Sequence, residues 1–250
     1  MQGAGPLLEV RNISKSFGTI RALRNVSFDL ERGRILGLIG DNGAGRTTLL
    51  NILSGGLQPS DGEICIKGKE IRFKSPADAM RKSIAIVYQF LELVDVAKVW
   101  ENFFMGRELT RRIGPLVFLD VRRMKRFTAE SIAKYGHTFD IEREIGELSG
   151  GQRQIVAVTR AIDANPEILL LDEPTHGLSK RVIGDIFNLL RKAKEEKDTS
   201  IIITSQWYEQ VSDFVDEVIV LRRGEVAGHF DAESADRVKI FKLAMGLATN

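Results

Sequence analysis

The sequence has a single cysteine, Cys65, in 250 residues. No disulfide can therefore form within the chain, and a reducing compartment fits that usage. Cys65 reads as a small apolar residue buried on a strand. No apolar run approaches the roughly 20 residues that a membrane-crossing helix needs, and the neutral stretch from Met1 to Gly5 has no signal-peptide pattern. These absences describe a chain soluble in itself, whose membrane role would be borrowed from a partner. Formal charge is only +2, too small to argue for a nucleic-acid partner. There is no internal repeat and no low-complexity linker, and the tail after about Phe230 leaves no room for an added regulatory domain.

What is present can bury a large core, as one α/β unit with a lobe or as two small domains. Leu8-Glu9-Val10-Arg11 and Val26-Ser27-Phe28-Asp29-Leu30 alternate as half-exposed antiparallel strands. The stretch from Ile64 to Phe73 reads as a hairpin around Gly68. Ile35–Ile39, Ile84–Tyr88, Ile168–Leu171 and Ile201–Thr204 are short apolar runs, as buried parallel strands are. Residues 90–160 carry helical periods with Trp100, Phe103 and Phe104, and read as a mostly helical lobe. Val182, Ile183, Ile186, Phe187 and Leu190 share one helical face predicted to pack on the sheet. The stretch from Val218 to Ala227, turning at Arg223-Gly224, reads as a closing hairpin.

The chemistry begins after the first of those parallel strands. Gly40-Asp41-Asn42-Gly43-Ala44-Gly45-Arg46-Thr47-Thr48 joins it to the helical stretch Leu49–Leu53. Glycines let backbone N–H groups turn inward around an anion, and the helix start adds its dipole. The spacing is that of a phosphate-binding P-loop, with Arg46 where the pattern has lysine. Asp172-Glu173 ends the strand Ile168–Leu171. Asp172 can hold Mg²⁺, directly or through water, with Thr47 as the hydroxyl partner. Glu173 is placed to take a proton from an attacking water. Upstream, Leu148-Ser149-Gly150-Gly151-Gln152-Arg153-Gln154 precedes a helix with Ile155, Val158 and Ile162 on one side. Ser149 is a natural N-cap, and the two glycines leave N–H groups open to an anion.

With these three motifs in order, the chain resembles an ATP-binding cassette of the ABC transporters over nearly its whole length. The resemblance implies an α/β P-loop NTPase with a mostly parallel core sheet, an antiparallel β subdomain and an inserted helical subdomain. One cassette would span residues 1–250: α/β core in 1–90 and 161–250, helical signature subdomain in 91–160. It implies ATP and Mg²⁺ as cofactors. It also implies a head-to-tail pair with a second cassette, identical or different, so that Ser149, Gly150, Gly151 and Gln152 serve the partner's nucleotide. Gln89 matches the glutamine that touches Mg²⁺ or the attacking water and links ATP to the transport subunit; a polar strand cap is the plainer alternative. Phe17 stands where the family stacks an aromatic on adenine, with simple sheet packing as the alternative. Ser75-Pro76-Ala77-Asp78-Ala79, the strand to Gln89, and Glu101-Asn102-Phe103-Phe104-Met105-Gly106-Arg107-Glu108 resemble the monosaccharide importers of the ribose, xylose and fructose type. Most of those ATPases fuse two cassettes; some are single. The expected setting is the cytoplasmic face of a membrane, bound to permease subunits that face a substrate-binding protein, with the stretch from Gln89 to Glu108 receiving the permease.

Three positions depart from that pattern. Arg46 replaces lysine, Gln206 stands where a switch histidine is due, and Ser179 holds an aspartate position. Arginine carries its charge on a planar fork where lysine offers a compact point charge, so weaker ATP binding with misplaced γ-phosphate contacts is expected. The second cassette of the fused sugar ATPases also has Gly-Arg-Thr there. Gln206 can donate a hydrogen bond but cannot become cationic, a loss of about 10²–10³ in rate. Glu173 is intact, so the expectation is an ATPase with an impaired own site; a regulatory cassette that binds ATP with little hydrolysis is the alternative. A soluble ABC protein of translation or DNA repair is disfavoured, since two cassettes, long coiled coils and strongly basic arms are missing. His137 and His229 read as surface residues, His176 as a solvated turn residue or a γ-phosphate neighbour, and Arg122-Arg123-Lys125-Arg126 as the wet face of a helix, with contact to lipid headgroups as the lesser alternative.

Overall fold

Apolar and polar residues alternate through β1 (Leu8–Phe17) and β2 (Ile20–Leu30), which pair antiparallel. The register slips between Val10 and Ile13, where Asn12 takes φ +52°, and again between Ile13 and Lys15, opposite Asn25 at φ +48°. Asparagine tolerates that backbone, and the irregularity lets Val10 and Ile13, three residues apart, both be buried. The structure, a computed structural model, describes residues 5–247, so Met1 to Ala4 of the neutral N-terminal stretch lies outside the described residues. β4 (Asp61–Ile66) and β5 (Lys69–Glu70) complete a four-stranded sheet in the order β2-β1-β4-β5. Its hairpin turns at Lys67-Gly68, as expected, but β5 is only two residues long. Cys65 corrects the reading of a buried residue: it is half-buried, and burial first, then the carboxylates of Glu63, Glu9 and Glu70, push its thiol pKa up.

The six-stranded sheet runs β12-β11-β3-β10-β9-β6. It contains β3 (Ile35–Ile39), β6 (Ile84–Val87), β9 (Ile168–Leu171), β10 (Ser200–Ser205), β11 (Glu217–Arg222) and β12 (Glu225–Asp231). All are parallel except β12, which returns antiparallel on β11 as the closing hairpin. β3, β9 and β10 are buried at every residue, which is why they lack a polar face in the sequence. α1 (Arg46–Leu53) follows β3 and ends where Gly55 takes φ +75°. α2 (Pro76–Arg81) is capped by Ser75, whose Oγ accepts from the Asp78 N–H. The tail holds an element that the sequence reading missed, α7 (Arg237–Met245), capped by the Asp236 carboxylate and ended by Gly246 at φ +71°.

The chain divides into two compact units. The one just described takes the residues up to Gln89, Asn165–His176 and the chain from Lys192 onward; the other takes Phe90–Ala164 and Gly177–Arg191. The second unit contains α3 (Val99–Phe104), α4 (Val121–Lys134), α5 (Gly150–Asp163) and the first turns of α6 (Lys180–Lys197). Trp100, Phe103, Phe104 and Met124 form one apolar cluster; Val99, Ile132, Ile145, Leu148 and Val156 form another. Fully buried Asn102 pins the irregular stretch before α3: its amide oxygen accepts from the Val94 N–H, and its nitrogen donates to the carbonyls of Val94, Ala97 and Lys98. The unit is less helical than expected, because β7 (Thr110–Ile113) and β8 (Leu116–Leu119) form a separate two-stranded ribbon. On α6 the buried face is Ile186, Leu189, Leu190 and Ala193, while Val182, Ile183 and Phe187 are half-buried.

Candidate functional site

Four neighbouring parallel strands end at one edge of the six-stranded sheet, and each leads into a candidate residue. β3 leads into Gly40–Gly45, β10 into Gln206, β9 into Asp172-Glu173 and β6 into Gln89. Ligands in open parallel sheets gather at such a carboxyl edge. The loop after β3 needs glycine at two of its positions. A Cβ on Gly40 would stand 2.4 Å from the Leu221 carbonyl oxygen. Gly45 sits at φ +107°, where a Cβ would meet Leu23 at 2.7 Å and the Ala22 carbonyl at 2.8 Å. The Ala44 N–H donates to the Asp41 carbonyl, and the Ala44 carbonyl accepts from the Gly224 N–H, each at 3.0 Å. Thr47 is exposed and Thr48 half-buried in the first turn of α1.

Arg46 lies inward, 6 % exposed. Its Nη2 donates to Glu173 Oε1 at 2.7 Å, and the Glu173 side chain is only 13 % exposed. Arg46 Nη1 is buried with no hydrogen-bond partner. Glu173 holds a left-handed backbone, φ +46°, uncommon for a side chain of this kind. Thr204, fully buried at the end of β10, fixes that turn: its Oγ1 accepts from the Glu173 N–H and donates to Asp172 Oδ1, both at 2.8 Å. His176 is mostly exposed, with Nδ1 3.5 Å from Glu173 Oε2. Gln206 Nε2 donates to Asp41 Oδ1 at 3.1 Å, and the same oxygen accepts from the Asn42 N–H at 2.7 Å. The glutamine at the switch position is thus bonded to the phosphate loop itself. Phe17 presents a ring 48 % exposed, with Lys15 Nζ 5.3 Å from its centroid, so sheet packing does not cover it.

The second unit carries the signature residues. Ser149 N-caps α5 as expected: its Oγ accepts from the Gln152 N–H at 3.3 Å, and Gln152 Oε1 accepts from the Ser149 N–H at 3.0 Å. Ser149 and Gly150 are exposed, and a Cβ on Gly150 would meet nothing within 4 Å. Gly151 is different, because a Cβ there would stand 2.9 Å from a methyl of Val182. Ile155, Val158 and Ile162 are buried, as their spacing predicted.

Residues 23–176 match the ABC transporter family. The chain belongs to that family. It is 34 % identical over 241 residues to a ribose import ATP-binding protein of Caldanaerobacter subterraneus subsp. tengcongensis, covering 96 % of this chain and 48 % of that one. It is 36 % identical over 244 residues to an arabinose import ATP-binding protein of Vibrio parahaemolyticus, covering 97 % and 47 %. The chain spans about half the length of these curated relatives. A solved ATP-binding cassette, dimeric in a post-hydrolysis state with ADP and phosphate, matches with a TM-score of 0.75 at 26 % identity, covering 90 % of this chain and 98 % of that one.

As an ABC-family cassette, the chain presents a donor set of the right character for a nucleotide and a hard cation. The buried, unpartnered Arg46 Nη1 calls for an anionic acceptor. The Thr47 hydroxyl, the Asp172 carboxylate and the Gln89 amide oxygen are the oxygen ligands that Mg²⁺ prefers. No group of three or more histidine, cysteine, aspartate or glutamate residues that could hold a metal occurs among the described residues. Two contributors escaped the sequence reading, Thr204 and the Asp41 carboxylate as the tether of Gln206. The signal for Thr204 was there: a polar residue ending an otherwise apolar buried strand must bond to something.

Proposed function

We propose that this chain is the ATP-binding and ATP-hydrolysing subunit of a membrane ABC importer for a simple sugar, with an own site slowed by Arg46 and Gln206. The observation that carries the reading is the 2.7 Å pair between Arg46 and Glu173. It puts the altered phosphate-loop residue directly on the proposed base. Residues 40–48 would hold the phosphates and Phe17 the adenine. Thr47, Asp172 and Gln89 would hold Mg²⁺, which when bound neutralises phosphate charge. Glu173 would accept the proton of the attacking water, and Gln206 would donate to the γ-phosphate. With Arg46 on Oε1, one oxygen of the base is engaged until a phosphate competes for the guanidinium. A seated nucleotide then frees Glu173, and a planar fork does this less cleanly than a lysine.

The sugar assignment rests on the names of the relatives. The second unit would be the signature subdomain of a single cassette spanning residues 1–250, with Ser149 to Gln152 completing a partner cassette's site; the dimeric structural relative supports that arrangement. Permease subunits would dock near Gln89 to Glu108, where Phe90 and Val96 expose apolar surface, and a substrate-binding protein would act through them. The chain would sit peripherally at the cytoplasmic face of the membrane; no described helix is long and apolar enough to cross it.

The test is ATP hydrolysis by the purified chain, with Glu173→Gln as control. Turnover well below about 1 per second, reduced further by Glu173→Gln, is the expected result. Turnover above that rate, abolished by Glu173→Gln, would remove the impairment. A residual rate that Glu173→Gln leaves untouched would favour the second reading, a regulatory cassette that binds ATP as a switch.

A further inference from the structure

The ribbon β7–β8 is an element whose composition the proposed cassette function does not use. Cross-strand partners are Arg111 with Phe118, Arg112 with Val117 and Ile113 with Leu116. Partners across a strand pair share a face, so one face carries Arg111, Ile113, Leu116 and Phe118. The other carries Arg112, Val117 and Leu119. A ribbon lying on its own protein would show one apolar and one polar face. Here both faces mix arginine with large apolar residues, and all eight strand residues are exposed, with Leu116 at 60 % and Phe118 at 45 %. The ribbon is nevertheless held at its base. The Asp120 N–H donates to the Leu109 carbonyl at 2.8 Å, and Leu109 and Val121 pack against the buried Met124 cluster. Gly114 at φ +60° makes the tight turn at its tip.

The charge around the ribbon has one sign. Residues 110–126 contain Arg111, Arg112, Arg122, Arg123, Lys125 and Arg126 against the single carboxylate Asp120, so this short stretch is more positive than the whole chain at +2. Asp120 is occupied as the cap of α4, and Lys125 as the partner of Glu142. The guanidinium groups of Arg111, Arg112, Arg122 and Arg123 have no hydrogen bond or ion pair among the described residues. A two-stranded ribbon with apolar side chains and an unpaired arginine on each face, followed by Arg122 and Arg123 at the start of α4, matches an anionic lipid surface: apolar groups enter the acyl boundary while guanidinium groups stay with the phosphates. A protein groove would cover one face or demand facing carboxylates.

We propose that Thr110–Leu119 is a membrane-surface wedge that contacts anionic phospholipid headgroups beside the transport subunits. This deepens the proposed placement at the membrane and rests on it, but it is independent of ATP turnover. The test is sedimentation of the full chain with phosphatidylglycerol-containing vesicles and with pure phosphatidylcholine vesicles, at low and high salt. ATP binding is measured in parallel by calorimetry. Salt-sensitive binding to the anionic vesicles alone is expected. Arg111→Gln with Arg112→Gln should weaken it about 30-fold, Leu116→Ser with Phe118→Ser at least as much, and all four changes should leave ATP binding unaltered. No vesicle binding, or binding that neither variant changes, overturns the proposal. So does light scattering in which the variants abolish self-association while vesicle binding persists, since the ribbon would then be a contact between copies. Loss of ATP binding in the unaltered chain would instead defeat the cassette reading and leave the vesicle result standing.

Discussion

The phosphate loop and the signature turn both place backbone N–H groups at the start of a helix, but their side chains are engaged in opposite ways. Arg46 reaches Glu173, 127 residues away in sequence, and Gln206 reaches Asp41, 165 residues away. The side chains of Ser149 and Gln152 each bond to the other's backbone N–H, within one turn. The side-chain bonds that tie Arg46 and Gln206 to the site are long-range; those that link Ser149 and Gln152 are local. A substitution at Arg46 or Gln206 is therefore felt across the strands that converge there, while the bonds between Ser149 and Gln152 lie outside that network. On the proposed function, the two roles of a cassette, splitting its own nucleotide and completing another's site, would then be separable in this chain.

The sharpest way to break that separation is Gly150→Asp. The position is open and exposed, and a carboxylate at a helix N-terminus is compatible with the helix, so the melting temperature should not fall. ATPase activity of the paired cassettes should drop about 100-fold or more, because a fixed negative charge replaces an anion site. Unchanged activity would mean that this turn serves no partner's nucleotide. Next in size is Arg46→Lys, which withdraws the fork from Glu173. Hydrolysis by the chain should rise about tenfold in kcat; a change confined to KM would show that the arginine affects binding alone. The smallest effect tests whether the second unit is tuned separately. Lys125 first, then Lys98, hold the Glu142 carboxyl below its ordinary 4.5. A lowered folded-state value stabilises fully above the unfolded value and is lost as pH falls through the folded one. Glu142→Gln should therefore lower the melting temperature slightly at pH 7, and the difference should vanish in acid below the carboxylate range. With Glu142 40 % exposed, solvent screening keeps it small.

The parallel strands, the phosphate loop and the α5 cap were legible because each is encoded locally, by an apolar run, by glycine spacing, or by Ser149 three residues before Gln152. The β7–β8 ribbon was missed although Gly114-Pro115 between two short runs is a turn signal; Leu116-Val117-Phe118-Leu119 does not alternate, so no strand period stood out. α7 was missed in a tail taken as short, despite Asp236 as a cap and Ile240 and Ala244 four apart. Cys65 was placed inside because strand residues in a mostly apolar run usually are, whereas its carbon neighbours Ile64 and Ile66 take the buried face. At the site, the residue types could be read but not their pairing. Nothing local says that Arg46 closes on Glu173 or Gln206 on Asp41, since those contacts exist only once β3, β9 and β10 lie side by side.

The Ser149 hydroxyl illustrates how one atom can answer to two selective pressures. Its oxygen accepts from the Gln152 N–H, while its hydroxyl donates to nothing among the described residues and the residue is exposed. A change there disturbs the helix of this molecule and, on the proposed function, would disturb the reaction of another molecule at once. Replacing this serine by a residue with no side-chain acceptor would remove a helix cap in the same step. The turn proposed to serve a neighbour's nucleotide is thus also part of what holds its own helix start together.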